Sequence, residues 1–148
     1  MGASSYAKDV VLWAQQQAAL LRSGQFSKLD VEHLADEIED VGKTEKRELA
    51  SHMAVLLAHL LKWLAQPDRR TRSWQSTIDE QRRRIALALE ETPSLRTTLA
   101  EPRWQAAVWS DARVIAITDT GLAGEAFPDK CPWPTDRALS PNWLPGAD

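Results

Sequence analysis

The sequence holds a single cysteine, Cys131, among 148 residues, so it has no disulfide framework and no thiolate cluster for a metal. Glycine is scarce at six residues, and none are spaced to cradle a phosphate. Serine nucleophile elbows and calcium loops are also absent. The longest apolar run, "AVLLAHLL", falls far short of the ~20 residues that span a bilayer. Neither charge is in large excess: 18 Lys and Arg face 21 Asp and Glu, a formal net charge of -3. That balance argues against a dedicated binder of nucleic acid or of anionic membrane. The opening "MGASSYAKD" shows neither the basic nor the apolar region of a signal peptide. Tyr6 stands where N-myristoylation needs Ser or Thr. These absences predict a soluble cytoplasmic protein with no cofactor and no membrane segment.

What is present is ordinary for a globular chain: 43% apolar and 26% charged residues, without internal repeats. One domain over residues 1–148 is expected, with a core at about 6–120 and an irregular tail from 121 to 148. Periodicity and punctuation predict four to five helices and no strand. The first runs from about Asp9 to Ser23, with Trp13, Gln17, Leu20 and Leu21 on one face and Gly24 as its stop. Asp30 caps the next helix, in "LDVEHLADEIEDVG". Gly42 offers a break, yet the stripe Leu34, Ile38, Val41 stays in phase with Leu49, Met53, Leu56, Leu60 and Trp63. One long helix and two shorter ones are therefore both allowed.

"PDRRTRS" reads as a loop, and Ser73 as the cap of a helix striped by Trp74, Ile78, Ile85 and Leu89. After a short turn, Pro102 opens a helix that Gly121 stops. This helix is apolar on two sides, with Trp104, Val108 and Ile115 on one and Trp109 and Ile117 off that stripe. Such a helix is either central or covered in part by a partner chain, and the second option predicts a homodimer through Arg103–Thr118. Five of the eight prolines lie beyond Gly121, which precludes long helix there. Phe127, Trp133 and Trp143 are nevertheless too apolar for a disordered tail, so it should strap across an antiparallel all-α bundle.

"LLAHLLKW" with "QPDRRTRSWQSTIDEQRRRI", together with "LADEIEDVG", "SDAR" and "TGL…FPDKCPW", resembles the bacterial domain of unknown function 29 family. The resemblance covers nearly the whole chain, most specifically from Leu56 to Ile85. It implies an all-helical fold and a bacterial cytosolic setting, and it carries no catalytic residues over. The family pattern is more acidic around Val114 to Ala116, and the apolar residues here strengthen the buried-helix reading.

Two histidines sit in the leucine-rich run, His52 and His59, about 20° apart on a helical wheel. With Glu45, Glu48 and Trp63 they form a polar and aromatic column at the edge of the apolar stripe. Their ~10.5 Å axial separation is too long for one shared ion. Glu48 and His52 alone have metal-pair spacing, and His33 falls on the solvent side of its helix. The simpler expectation is a local Glu48–His52 hydrogen bond, with His59 meeting Glu80 or Gln81 of the facing helix.

Arg69, Arg70 and Arg72, flanked by Trp63 and Trp74, form the candidate nucleotide or single-strand surface. The two tryptophans are also placed to pack on each other at the hairpin turn. Arg82, Arg83 and Arg84 spread around their helix and cannot act as one prong; the Arg82 head should seek an acid. Asp111 lies on an apolar stripe and, if buried, needs a partner, which Arg113 or one of the loop arginines can supply. Lys130 can lower the Cys131 pKa slightly, but with no histidine nearby in the sequence Cys131 reads as a small apolar residue or a free thiol. No catalytic motif emerges. The expectation is a non-enzymatic interaction or regulatory module with an unidentified protein partner. Nucleotide binding at the arginine loop and a metal-dependent enzyme using Glu48, His52 and His59 are the alternatives.

Overall fold

The computed structural model of the chain describes residues 2–146. It is all-α: seven helices and three short 3-10 turns, with no strand among the described residues. The helices are α1 (Gly2–Lys8), α2 (Val10–Arg22), α3 (Val31–Ala65), α4 (Arg72–Glu91), α5 (Leu95–Leu99), α6 (Pro102–Thr120) and α7 (Thr135–Leu139). Gly42 does not break α3, which runs 35 residues without interruption. A glycine costs a helix interior only about 1 kcal/mol relative to alanine, too little to stop a run with good helix formers on both sides. The chain forms two compact units, residues up to Glu45 and residues from Lys46 onward.

In the first unit Asp9 caps α2 by accepting from the Leu12 amide at 3.0 Å. Gly24, at a φ of 74°, gives the chain a left-handed turn just beyond it. Trp13 and Gln17 are the buried residues of α2, whereas Leu21, expected on the same face, is exposed. Asp30 organises the unit. Its backbone N–H donates to Gln17 Oε1 (2.8 Å), and its carboxylate accepts from Trp13 Nε1 (2.9 Å) and His33 Nδ1 (2.7 Å). Desolvation works against that carboxylate, but the hydrogen bonds from His33 and Trp13 outweigh it and hold its pKa below the ordinary value. His33 is thus half-buried and stacked on Tyr6 at 4.0 Å, not on the solvent side as the wheel implied. The cause is α1, unread in the sequence, which carries Tyr6 onto the imidazole. Tyr6 donates its hydroxyl to Glu37 at 2.5 Å. That bond, desolvation and the nearby acidic charges push its pKa up to about 12.

In the second unit α4 runs antiparallel to the C-terminal half of α3, since Lys62 lies over Trp74 while His52 meets Gln81. Helix α6 runs alongside α3 in the same sense, since Trp104 and Val108 line a cleft with Met53 and Leu57 while Asp119 meets Lys62 at 3.2 Å. Leu56, Leu60, Leu61, Ile78 and Ile85 are fully buried in this bundle. Each such side chain contributes about 1.5–3 kcal/mol relative to exposure. Thr71, not Ser73, caps α4: its backbone is extended and its hydroxyl accepts from the Trp74 amide three residues on. Pro102 begins α6 and Gly121, at a φ of 71°, ends it. The tail packs on the bundle with Phe127 and Ala138 buried and Trp133 and Trp143 against the core. Pro134 forms the cap of the short helix α7, an element the proline density had concealed.

Candidate functional site

The eight side chains expected to form a site all belong to the second unit, and its geometry gives most of them separate partners. His52 Nδ1 bonds Gln81 Oε1 at 2.8 Å, so the expected Glu48–His52 pair does not form and Glu48 is exposed. The facing helix offers a better-aligned acceptor than a carboxylate that would have to fold along its own helix. His59 Nδ1 donates to the Val55 carbonyl one turn earlier at 2.9 Å, leaving neither Glu80 nor Gln81 as its partner. Gln81 is already engaged by His52, and Glu80 points outward to Arg83 and Arg84. Among the described residues, no group of three or more His, Cys, Asp or Glu converges to hold a metal ion.

Burial pushes the His59 pKa down, as does the Lys62 cation; the Val55 carbonyl and Asp119 pull it up less. The folded state therefore favours the neutral ring. Its contribution is fully present above the ordinary value of 6.5 and is lost as pH falls from there through the lower folded value. Acidification from about pH 7 to about pH 5.5 is expected to lower the Tm of the wild type more than that of His59→Gln. Parallel Tm curves for the two proteins would show that this imidazole does not couple to folding.

Trp63 and Trp74 do not stack on each other. Each takes a cation instead, Arg70 over Trp63 and Lys62 over Trp74, both at 4.9 Å from the ring centre. Arg70 also donates to the Trp63 carbonyl at 2.8 Å, which closes the turn between α3 and α4. Arg69 and Arg72 remain exposed. The arginine triplet on α4 is split. Arg83 and Arg84 bond Glu80, whereas Arg82 turns inward and donates to the carbonyls of Ala138 (2.9 Å) and Trp143 (2.7 Å). The acid expected for Arg82 is replaced by backbone acceptors of the tail.

Asp111 is exposed and so needs no buried partner, and Arg113 bonds the Gly124 carbonyl at 2.9 Å. The Cys131 pKa is raised rather than lowered, because desolvation disfavours the thiolate and the backbone of Trp133 offsets this only in part. That thiol edges a cleft of about 310 Å³ between Met53, Leu57, Trp104, Val108 and Trp133. A wider surface groove of about 640 Å³ separates Arg47–Val55 of α3 from Asp111–Ile115 of α6. Periodicity alone did not reveal this groove, because exposed Val114 looks like any other residue off the stripe.

Taken with the fold, this arrangement defines a class: an all-α helical bundle whose histidines and buried arginine hydrogen-bond to groups of the same chain. The family described as Domain of unknown function DUF29 matches residues 5–144, and the chain belongs to that family. No curated protein and no solved structure matches it. No helix among the described residues is long and apolar enough to cross a membrane.

Proposed function

We propose that this chain is a non-enzymatic interaction module working in the bacterial cytoplasm. One observation carries the reading: large aliphatic side chains stay open at helical spacing, while the candidate chemical groups are engaged by the fold. Ile38, Val41 and Val114 are each at least 60% exposed, whereas His52, His59 and Arg82 all have partners inside the chain. An enzyme built on Glu48, His52 and His59 would need those groups to converge, and their partners draw them apart. Pairing through Arg103–Thr118 would have to use Val114 and the groove beside it, because Val108, Trp109, Ala112 and Ala116 are already buried within the chain. Light scattering with metal analysis of protein purified without chelator tests the reading. A metal-free particle heavier than one chain is expected, and a monomer carrying stoichiometric zinc or iron would overturn it.

A second reading, nucleotide or single-strand binding, has the exposed Arg69 and Arg72 in its favour and the net charge of -3 against it. Retention on heparin at about 0.15 M salt, abolished by Arg69→Glu with Arg72→Glu, would establish it. Flow-through of the wild type removes it.

A further inference from the structure

We propose that the cleft between α3, α6 and the tail binds a small, neutral, flat aromatic molecule carrying one hydroxyl or N–H group. This goes beyond the interaction reading and uses other residues, since the groove beside Val114 shares none with the cleft. At about 310 Å³ the cleft falls at the lower end of the range that small-molecule pockets occupy. Met53 and Leu57 of α3 and Val108 of α6 supply aliphatic surface, and Trp104 and Trp133 supply two indole rings.

Ties within the chain keep this hollow open. Trp133 is braced edge-on by Trp109 at 5.9 Å and by Trp143 at 5.8 Å. Trp109 is itself tied to the Pro128 carbonyl at 3.1 Å, and Pro132 and Pro134 fix φ on both sides of Trp133. Ala138, which also lines the cleft, is pinned through its carbonyl by Arg82. A wall held at these points cannot fall in to fill the space, and apolar side chains facing it forgo packing contacts until something enters. A ligand that enters a preformed site meets little ordering cost.

Charge and hydrogen bonding narrow the occupant. Among the described residues no Lys, Arg, His, Asp or Glu lines the cleft, so an ionised ligand group would lose water without gaining a counter-charge. The ligand is therefore neutral. Its polar contacts come from Gln105 and Thr135. Gln105 Nε2 donates to the Leu99 carbonyl at 2.6 Å and to the Thr135 hydroxyl oxygen at 3.4 Å. The Leu99 carbonyl can only accept, which fixes the orientation of the Gln105 amide. Its Oε1 is left as an acceptor with no partner among the described residues. An open acceptor selects a donor, hence the hydroxyl or N–H on the ligand. The two indole rings favour a flat ligand, because aromatic rings gain from offset or edge-to-face contact beyond the area they bury.

Cys131 reports on the cleft directly, because the chain's one thiol is exposed at its edge. The probe is 2-naphthol, a neutral bicyclic ring with one hydroxyl, and 2-naphthoate is the same ring carrying a charge. Titration calorimetry is expected to give one 2-naphthol per chain, with a dissociation constant below about 100 µM and 2-naphthoate at least about tenfold weaker. Saturating 2-naphthol should slow alkylation of Cys131 by N-ethylmaleimide severalfold, read by intact mass, whereas 2-naphthoate at the same concentration should not. Gln105→Leu removes the acceptor and should weaken 2-naphthol by about three- to tenfold. Cys131→Trp narrows the mouth and should abolish binding, with circular dichroism unchanged because position 131 is exposed. Uptake of 2-naphthol that leaves Cys131 alkylation unchanged would put the ligand elsewhere and overturn the site. Equal binding of 2-naphthoate would overturn the neutral ligand, and no saturable binding up to about 1 mM would overturn the proposal altogether. Each result holds whatever the mass of the particle, so the interaction reading stands or falls separately.

Discussion

Trp13→Ala is expected to unfold α2 while the helices beyond Lys46 stay folded. Trp13 is 2% exposed and is the hub onto which Tyr6 (4.8 Å) and His33 (6.4 Å) pack edgewise. Its indole N–H also donates to Asp30. Removing a buried tryptophan costs about 3–5 kcal/mol. At about 0.05–0.15 kcal/mol per residue, a unit of this size holds no more than a comparable amount. Amide exchange should therefore lose its protection across Val10–Arg22 and keep it across α4 and α6. The protein's one tyrosine gives a second readout. In the wild type Tyr6 should ionise near its raised value of about 12, and in Trp13→Ala near the ordinary 10.0. Because the folded value lies above the unfolded one, the neutral phenol supports the fold fully below about pH 10, and that support is lost as pH rises through about 12. Trp13→Phe keeps an aromatic ring but loses the indole N–H and part of the buried bicyclic volume, so its cost should fall below that of Trp13→Ala. Unchanged protection of α2 in Trp13→Ala would refute this account.

Helix ends were legible wherever a single residue type decides them. Asp9, Pro102 and Gly121 each stand at the boundary their chemistry implies. The choice between Thr71 and Ser73 was not legible, because two hydroxyl residues lie within one turn and only backbone geometry separates them. Helix α7 was hidden by prolines, although Pro134 sits at its cap, where a missing N–H costs nothing. The stripe through Gly42 was read correctly as a stripe, but periodicity reports only a shared face. Leu49 and Met53 bury that face, whereas Ile38 and Val41 leave it open. Partner identity was the least legible feature of the site. A wheel places His52 and His59 at one edge, yet the register of the facing helix decides that Gln81 meets His52. The hydrogen bonds of His59 and Arg82 end on carbonyls, which every residue carries and no sequence pattern marks.

Arg82→Ala is expected to destabilise the second unit by about 3 kcal/mol, since each hydrogen bond made by a charged group contributes about 1.5–3 kcal/mol and desolvation offsets part of the two. Burial pulls the Arg82 pKa down while Asp79 raises it, which shows that the same burial opposes the charged form. For a chain of this size the loss should lower Tm by about 6–12 °C. The tail should loosen first: it should become sensitive to protease between Pro128 and Asn142, and tryptophan emission should shift to the red as Trp133 and Trp143 meet water. Arg82→Lys should fall between the two proteins, because one ammonium cannot reproduce a fork that reaches both Ala138 and Trp143. Arg82→Met fills most of the volume and leaves the carbonyls unpaired, so a loss close to that of alanine would assign the effect to hydrogen bonding rather than to a cavity. The physical root lies in the tail. Its five prolines bring carbonyl acceptors without N–H donors, so its backbone cannot satisfy itself. Arg82 supplies two of the missing donors from inside the bundle, and a substitution that removes them should free the strap while leaving the helices beneath it formed.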